Sequence, residues 1–318
     1  MQKETALAWL AKIPSDRKRV EDKGVWICCP FHKDGKERTP SLKLNLDPST
    51  GVPVGAFFCF ACGEHGSWNK IAAKLGLPQV GNNNPENGLY AYGVDGALVN
   101  EAMGNAEVAT ATHHILPNET LTGIWEDDWR GISGKLLKRL GAQHLLNDTY
   151  GTERVYIPVH IMGEEVGAVK ACPTGESKLK YINTPGEWRK NSLFPYDYTA
   201  RLIHKYKYNY TILCEGPRDA LNLVQYKVPA LATLGAGIKP DEKWTSKIST
   251  LLNFLGVEKI VLAFDPDEAG NKATKVYKEV LTTVGFKVSR IKFQSKPEKQ
   301  DPGALSKSAI LSLKKRLD

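Results

Sequence analysis

Two groups of side chains in this sequence have the types and spacing of chemical sites. The first lies near the N-terminus. Cys29-Pro30-Phe31-His32 is a C-x-x-H, and Cys59-Phe60-Ala61-Cys62 is a C-x-x-C. Two such knuckles can meet around one tetrahedral Zn²⁺, offering three thiolates and one imidazole. Four protein ligands close the coordination sphere, so the expected role is structural rather than catalytic. Cys28 competes with Cys29, but neighbours along a strand point to opposite faces, and the C-x-x-H spacing favours Cys29. His65, in the turn-like CGEHG, is expected to stay unliganded.

The second group is acidic. The apolar runs YTILC and KIVLAF end abruptly in Glu215 and Asp265. Asp219 follows the first of these and Asp267 the second. Ligands of open α/β sheets bind beyond the carboxyl ends of the strands, which places both sets at one rim. In extended chain Asp265 and Asp267 point the same way. Like charges this close are costly without a cation, and hard oxygen ligands suit Mg²⁺ or Mn²⁺. Asp267 and Glu268 also fit the N-terminus of the following helix as caps, and Asp219 also fits a solvated helical position.

Regular elements must hold these groups in place. Ala6, Leu7, Leu10 and Ile13 recur at helical spacing within residues 2–13. VWICCP, SLKLNLD and AFFCFACG read as short strands, and Ser67 and Gly76 bracket a helix that ends at Leu75. A strand-rich segment this small has a thin core and needs a staple. PQVGNNNPENG, residues 78–88, reads as a flexible linker. RVYIPVHI and EVGAVKAC are two strands joined by a turn at 162–164, and KLKYINTPGEWRKNSLFPYD is an irregular basic and aromatic segment. From Tyr208 strands and helices alternate regularly, through YTILCEG, PRDALNLVQYK, PALATLGAG, residues 240–255, KIVLAFD, DEAGNKATKVYKEVLTTVG and FKVSRIKF. Such alternation predicts a largely parallel sheet covered by helices, so the fold class is α/β and multidomain.

A chain of 318 residues has room for two or three domains. Its net charge of +8 is uneven, because an acidic stretch at 79–130 separates two basic blocks. Basic blocks favour a polyanionic partner, nucleic acid above all, although a plain solubility charge is the competing reading. Four of the six cysteines fall within the first 62 residues, a pattern of metal or redox chemistry rather than structural disulfides. No apolar run approaches the roughly 18 residues of a membrane span. The N-terminus lacks the apolar core of a signal peptide. The expectation is cytoplasmic residence (host cytoplasm if phage-encoded), with no membrane partner. No G-x-x-x-x-G-K-[ST] occurs, so no NTP-driven motor is expected.

The two sites in this order resemble the bacterial and bacteriophage DNA primases that join a zinc ribbon to a TOPRIM catalytic domain. The carrying stretches are CPFH (29–32), CFACGEHGSW (59–68), CEGPRDAL (214–221) and FDPDEAG (264–270). RVYIPV (154–159) is similar to the strand leading into that family's catalytic core. KYINTPGEWRKNSLFP (180–195) resembles its basic segment ahead of TOPRIM, and KQDPG (299–303) its trailing acidic motif. The resemblance covers about residues 20–305. It implies a zinc-ribbon DNA-binding domain over 1–77, a flexible linker over 78–100, the N-terminal, α+β part of an RNA polymerase core over 101–206, and a TOPRIM catalytic subdomain with a C-terminal segment over 207–318.

Carried over by motif, Cys29, His32, Cys59 and Cys62 bind zinc. Glu215, Asp265 and Asp267 hold two catalytic magnesium or manganese ions, Asp219 supports them, and Asp301 adds a ligand. Lys180 and Lys190 match basic positions that contact nucleotide or nucleic acid, with Arg154 and Lys170 at related positions. Pro266 and Cys28 depart from the family's pattern without removing a ligand. The implied activity is DNA-dependent synthesis of short RNA primers for replication, a nucleotidyl transfer from ribonucleoside triphosphates on a single-stranded DNA template. Lys180, Arg189 and Lys190 are expected to neutralise triphosphate and template charge. Tyr181, Trp188 and Phe194 are expected to stack on bases, with ordinary packing the alternative for Phe194. Without a P-loop the chain would work with a replicative helicase in trans, as part of a primosome. The rival readings are another TOPRIM enzyme, a nuclease or topoisomerase, and a non-catalytic zinc- and TOPRIM-bearing binding protein.

Overall fold

Three sheets organise the residues described by a computed structural model: 3–21, 24–47, 54–62, 64–79, 116, 119–235, 240–293 and 301–318. The linker expected at 78–100 lies outside the described residues beyond Gln79, as do residues 101–115 and Lys299 and Gln300 of KQDPG. The fold is mixed α/β, with two antiparallel sheets and one parallel sheet. The described residues form two compact units. One carries the elements through residue 79 together with Thr250–Gly256, and the other carries the remainder from residue 116 on.

In the first unit α1 (Lys3–Leu10) precedes five short strands and α2 (Trp68–Leu75) follows them. The strands are β1 (Lys18–Glu21), β2 (Gly24–Ile27), β3 (Leu42–Asn45), β4 (Phe57–Cys59) and β5 (His65–Gly66). They form one antiparallel meander in chain order. Leu10, Ile27, Leu42, Leu44, Phe57, Trp68 and Ile71 pack beneath it as one apolar cluster. Gly76 ends α2 in the left-handed conformation, φ 64°, and returns its N–H to Ala72 O.

The second unit opens with the antiparallel sheet β10-β9-β8-β7-β6. Its strands are β6 (Thr120–Ile124), β7 (Gln143–Leu146), β8 (Arg154–Ile161), β9 (Glu164–Ala171) and β10 (Tyr181–Asn183), and α3 (Gly134–Arg139) lies between β6 and β7. The β8–β9 turn is held by α4 (Tyr196–Tyr206), where the buried Asp197 carboxylate accepts Met162 N–H and Gly163 N–H at 2.7 Å each. The parallel sheet follows, in the order β12-β11-β13-β14. Its elements are β11 (Tyr210–Cys214), α5 (Pro217–Val224), β12 (Ala230–Ala232), β13 (Lys259–Ala263), α7 (Glu268–Thr283) and β14 (Lys287–Arg290); α6 (Glu242–Leu255) is divided between the two units at Thr250, and α8 (Lys307–Leu317) is the last element. Continuous apolar strands such as TILC and IVLA are what a parallel sheet covered on both faces requires. No helix among the described residues is long and apolar enough to cross a membrane.

Two cations of the antiparallel sheet are placed differently from the expectation that they face nucleotide. Lys170 is 1% exposed, and its ammonium donates to both oxygens of Glu119 at 2.5 and 2.6 Å. Arg154 is equally buried and donates to Asp148 at 2.6 Å and to Leu179 O at 2.6 Å. Their charge is therefore neutralised inside the protein. Removing one partner of such a pair strands the other charge in a medium that solvates it poorly. Glu119→Ala is expected to cost about 3–5 kcal/mol in urea unfolding, and the double replacement Glu119→Leu/Lys170→Met to recover most of that loss.

Candidate functional site

The knuckles sit on the first unit's meander. Cys29 follows β2 and Cys59 ends β4, and β3 pairs with both strands, with Ile27 opposite Leu42 and Leu42 opposite Cys59. This register brings Cys29, His32, Cys59 and Cys62 together, with one ligand atom from each within 4.8 Å of the others. Cys29 Sγ lies 3.9 Å from Cys62 Sγ, and Cys59 Sγ lies 3.8 Å from His32 Nδ1. The hydrogen bond from Cys29, opposed by burial and aided by Ser41, lowers the Cys59 thiol to about 5, while the Cys29 thiol is pushed up by the same bond. Three sulfurs and one imidazole nitrogen at this spacing are a donor set that fits structural zinc. Cys28 points elsewhere, with its thiol 3.4 Å from Glu37 O, and His65 is outside the cluster.

Glu37 is a residue that the motifs did not single out. Its Oε2 meets His32 Nε2 at 3.1 Å, and its Oε1 accepts Cys29 N–H at 2.6 Å and the Ser41 hydroxyl at 2.7 Å. Ser41 in turn lies 3.4 Å from Cys59 Sγ. The carboxylate fixes the His32 ring with Nδ1 toward the thiols, the arrangement that orients and strengthens a histidine ligand. A lone Glu between two knuckles carries no spacing signal, so only the fold reveals it.

The acidic residues gather where the parallel strands end. Cys214 is opposite Ala263 in the β11–β13 pairing, so Glu215 and Asp265 leave neighbouring strands at nearly the same level. Asp219 lies in the first turn of α5 and reaches back to Gly216 N–H at 3.0 Å with Oδ2. Its Oδ1 accepts Gly303 N–H at 3.0 Å, which ties the Asp301 turn to the same helix. A Cβ at Gly303 would stand 2.6 Å from that oxygen, so only glycine allows the approach. Asn222, one turn further along α5, donates to Pro302 O at 2.8 Å and Leu305 O at 3.0 Å. Burial and the Asp301 charge, with Asp265 adding, push the Asp219 carboxyl up to about 7 against its two N–H bonds. The buried Cys214 thiol at the strand end is pushed up by burial and then by the charges of Asp219, Asp265 and Asp301. Asp267 is exposed and serves as the N-cap of α7, accepting Gly270 N–H at 2.9 Å. Among the described residues the thiol–imidazole set is the one that closes to metal size. Carboxylates repel one another and hold apart unless a cation joins them.

The basic and aromatic residues divide. Lys180, Arg189 and Lys190 are exposed, and Tyr181 is partly so. Trp188 and Phe194 correct the stacking expectation: they are 3% and 0% exposed. Trp188 donates its indole N–H to Thr184 O at 3.0 Å, and Phe194 is bridged to Ala232 of the parallel sheet. Both are core residues.

A Cys₃His set that could hold a metal ion is followed by a parallel sheet with carboxylates at its strand ends, and the Toprim-like family profile matches residues 212–305. The relatives matched along the chain are bacterial DNA primases. That of Pseudomonas aeruginosa is 25% identical over 339 residues, covering 89% of this chain and 48% of the relative. That of Chlamydia pneumoniae is 27% identical, covering 86% of this chain and 51% of the relative. This chain thus spans about half the length of the curated relatives it matches. The crystal structure of the Aquifex aeolicus primase, zinc-binding and RNA polymerase domains, aligns over 100% of this chain and 82% of its own at 20% identity and a TM-score of 0.46. The resemblance to bacterial DNA primases carried by the motifs is supported by these matches.

Elemental analysis of the purified protein is expected to give about one zinc per chain. Glu37→Ala is expected to weaken zinc retention by roughly ten- to hundredfold in competition with a chromophoric chelator. Unchanged retention would remove Glu37 from the site.

Proposed function

We propose that this chain carries the primer-synthesising part of a DNA primase. In this reading it is a nucleotidyltransferase that joins ribonucleotides on a single-stranded DNA template. The 3′-hydroxyl of one nucleotide attacks the α-phosphate of the next, and pyrophosphate leaves. The observation that supports the reading is the set of acidic residues at the strand ends of a Toprim-like sheet, where Glu215 and Asp265 leave neighbouring strands and Asp219 binds both Gly216 N–H and Gly303 N–H. Glu215, Asp265 and Asp267, with Asp301 as a further ligand, would hold magnesium or manganese, which would supply activation of the attacking hydroxyl and stabilisation of charge on the phosphate and leaving group. Asp219 would hold the two ligand-bearing turns with both of its oxygens already engaged by backbone N–H groups. The exposed Lys180, Arg189 and Lys190 would neutralise triphosphate and template charge.

The same reading assigns residues 1–77 to a zinc ribbon that helps read the template, 101–206 to the front of the polymerase core and 207–318 to the catalytic subdomain. Unwound template would come from a replicative helicase acting in trans. A nuclease or topoisomerase would share the acidic rim, but neither accounts for primase relatives that match over both units.

Labelled ribonucleoside triphosphates on single-stranded DNA, with Mg²⁺ or Mn²⁺, test the reading. Oligoribonucleotide products are expected. A shortened template instead would mark a nuclease, and no reaction a binding protein. Asp265→Ala is expected to lower primer synthesis by about a hundredfold or more while leaving single-strand binding intact. Full activity in that variant would sink the metal assignment.

A further inference from the structure

The parallel sheet has a second end, away from its carboxylates. Helices α4 and α5 run back against the strands, so they finish where β11 and β12 begin. There the rings of Tyr206, Tyr208 and Tyr210 form a row, with centroids 5.8 Å apart for the first pair and 5.3 Å for the second. Tyr210 is buried at the start of β11, and its hydroxyl donates to Asp318 Oδ1 at 3.0 Å. Tyr206 and Tyr208 are only partly buried. The Tyr208 hydroxyl donates to Lys227 O at 2.9 Å, which fixes its ring against the turn after α5.

Lysines from separate elements collect on these rings. Lys205 comes from the last turn of α4, Lys227 from the turn after α5, and Lys314 from the last turn of α8. Their ammonium nitrogens lie 5.4, 5.8 and 5.5 Å from the Tyr206 centroid, and that of Lys314 lies 5.5 Å from the Tyr208 centroid as well. Lys227 reaches the ring from a left-handed backbone, φ 65°, which is uncommon for a lysine. A side-chain hydrogen bond from Tyr208 raises the Lys314 ammonium against partial burial, with the Asp318 charge adding. None of the three lysines makes an ion pair with a described carboxylate. Lys259 is exposed opposite Tyr210 in the β11–β13 pairing and extends the basic edge along the sheet.

Like charges gathered this way repel one another. The negative ends of α4 and α8 and the tyrosine faces offset part of that cost without neutralising any ammonium. The charge is therefore left for an anion from outside. β11 is five residues long, which sets this edge roughly 15 Å from the carboxylates at the other end of the sheet. A ligand that meets both ends has to be a polymer. Bases add π-faces that stack on half-exposed tyrosines, whereas an acidic peptide segment offers charge alone.

We propose that the edge formed by Tyr206, Tyr208, Lys205, Lys227 and Lys314 is a nucleic-acid contact that binds single-stranded backbone at the end of the parallel sheet opposite the carboxylates. The lysines meet phosphates, and the open parts of Tyr206 and Tyr208 carry bases. The surface goes beyond the primase reading and rests on no step of it, since it needs a strand and not a reaction.

The test titrates the full chain into a fluorescein-labelled single-stranded oligonucleotide and follows anisotropy over a series of salt concentrations. Lys205→Gln/Lys227→Gln/Lys314→Gln is expected to weaken binding roughly tenfold near about 0.1 M salt and to make the slope of log K against log salt shallower by about 2. Tyr206→Leu is expected to weaken binding by about fivefold or more, and Tyr206→Phe to keep it. Lys227→Glu changes one exposed turn position and guards against misfolding of the triple variant; a loss of about fivefold with a shallower slope is expected. Affinity and slope unchanged in both the triple variant and Lys227→Glu overturn the proposal. So does a loss confined to a labelled hexaglutamate peptide, which would mark an acidic protein partner, and so does a wild-type chain that binds no oligonucleotide. Primer synthesis is assayed alongside. An inactive wild-type chain whose strand binding still depends on these lysines would end the primase reading and keep this one. An active wild-type chain whose strand binding ignores them would do the reverse.

Discussion

The carboxylate of Asp219 is the interaction on which the acidic rim depends. Each of its oxygens accepts one backbone N–H, from Gly216 beside Glu215 and from Gly303 beside Asp301. Glu215 and Asp301 are far apart in sequence and carry like charge, so nothing in their own chemistry would bring them together. The two N–H bonds tie both turns to one side chain, against burial and the repulsion of the neighbouring carboxylates. Asn222 adds two donors to the same turn from the same helical face. The helix α5 is therefore the element that converts separate acidic motifs into one site.

Much of the parallel sheet was legible in the sequence, because its strands are unbroken apolar runs and its helices start and stop at recognisable residues such as Pro217 and Asp267. The same holds for the helix between Ser67 and Gly76. What escaped notice has a common physical cause. β6 and β7 are short and half-exposed, so their apolar pattern is faint. The helix Tyr196–Tyr206 buries Asp197 and Thr199, polar residues that break the expected stripe, and both are satisfied by backbone groups elsewhere in the chain. Arg154 and Lys170 read as surface cations because a sequence shows a charge but not its partner. Glu119 is 51 residues from Lys170 and no local pattern links them. Trp188 and Phe194 look available for stacking only until the sheet beneath them is known.

The thiol cluster was legible for the opposite reason. Metal ligation fixes both residue type and spacing, and it leaves a short signature that survives without any knowledge of the fold. Its support did not share that legibility, since Glu37 and Ser41 act through distance and orientation alone. Zinc binding to such a set is worth about 10–16 kcal/mol in small peptides, comparable with the whole stability of a typical domain. The strands of the first unit are two to four residues long, so a metal bound there would tie their order as firmly as their apolar contacts do.

The buried Glu119–Lys170 pair also determines where this protein can be cut. Glu119 precedes the first strand of the second unit, and its carboxylate accepts Leu116 N–H as well as the lysine. A fragment beginning at Thr120 would contain every strand of the antiparallel sheet and both acidic motifs, yet it would enclose an ammonium with no counter-ion. The proper boundary for isolating the second unit therefore lies upstream of Leu116, in sequence that forms none of the described strands.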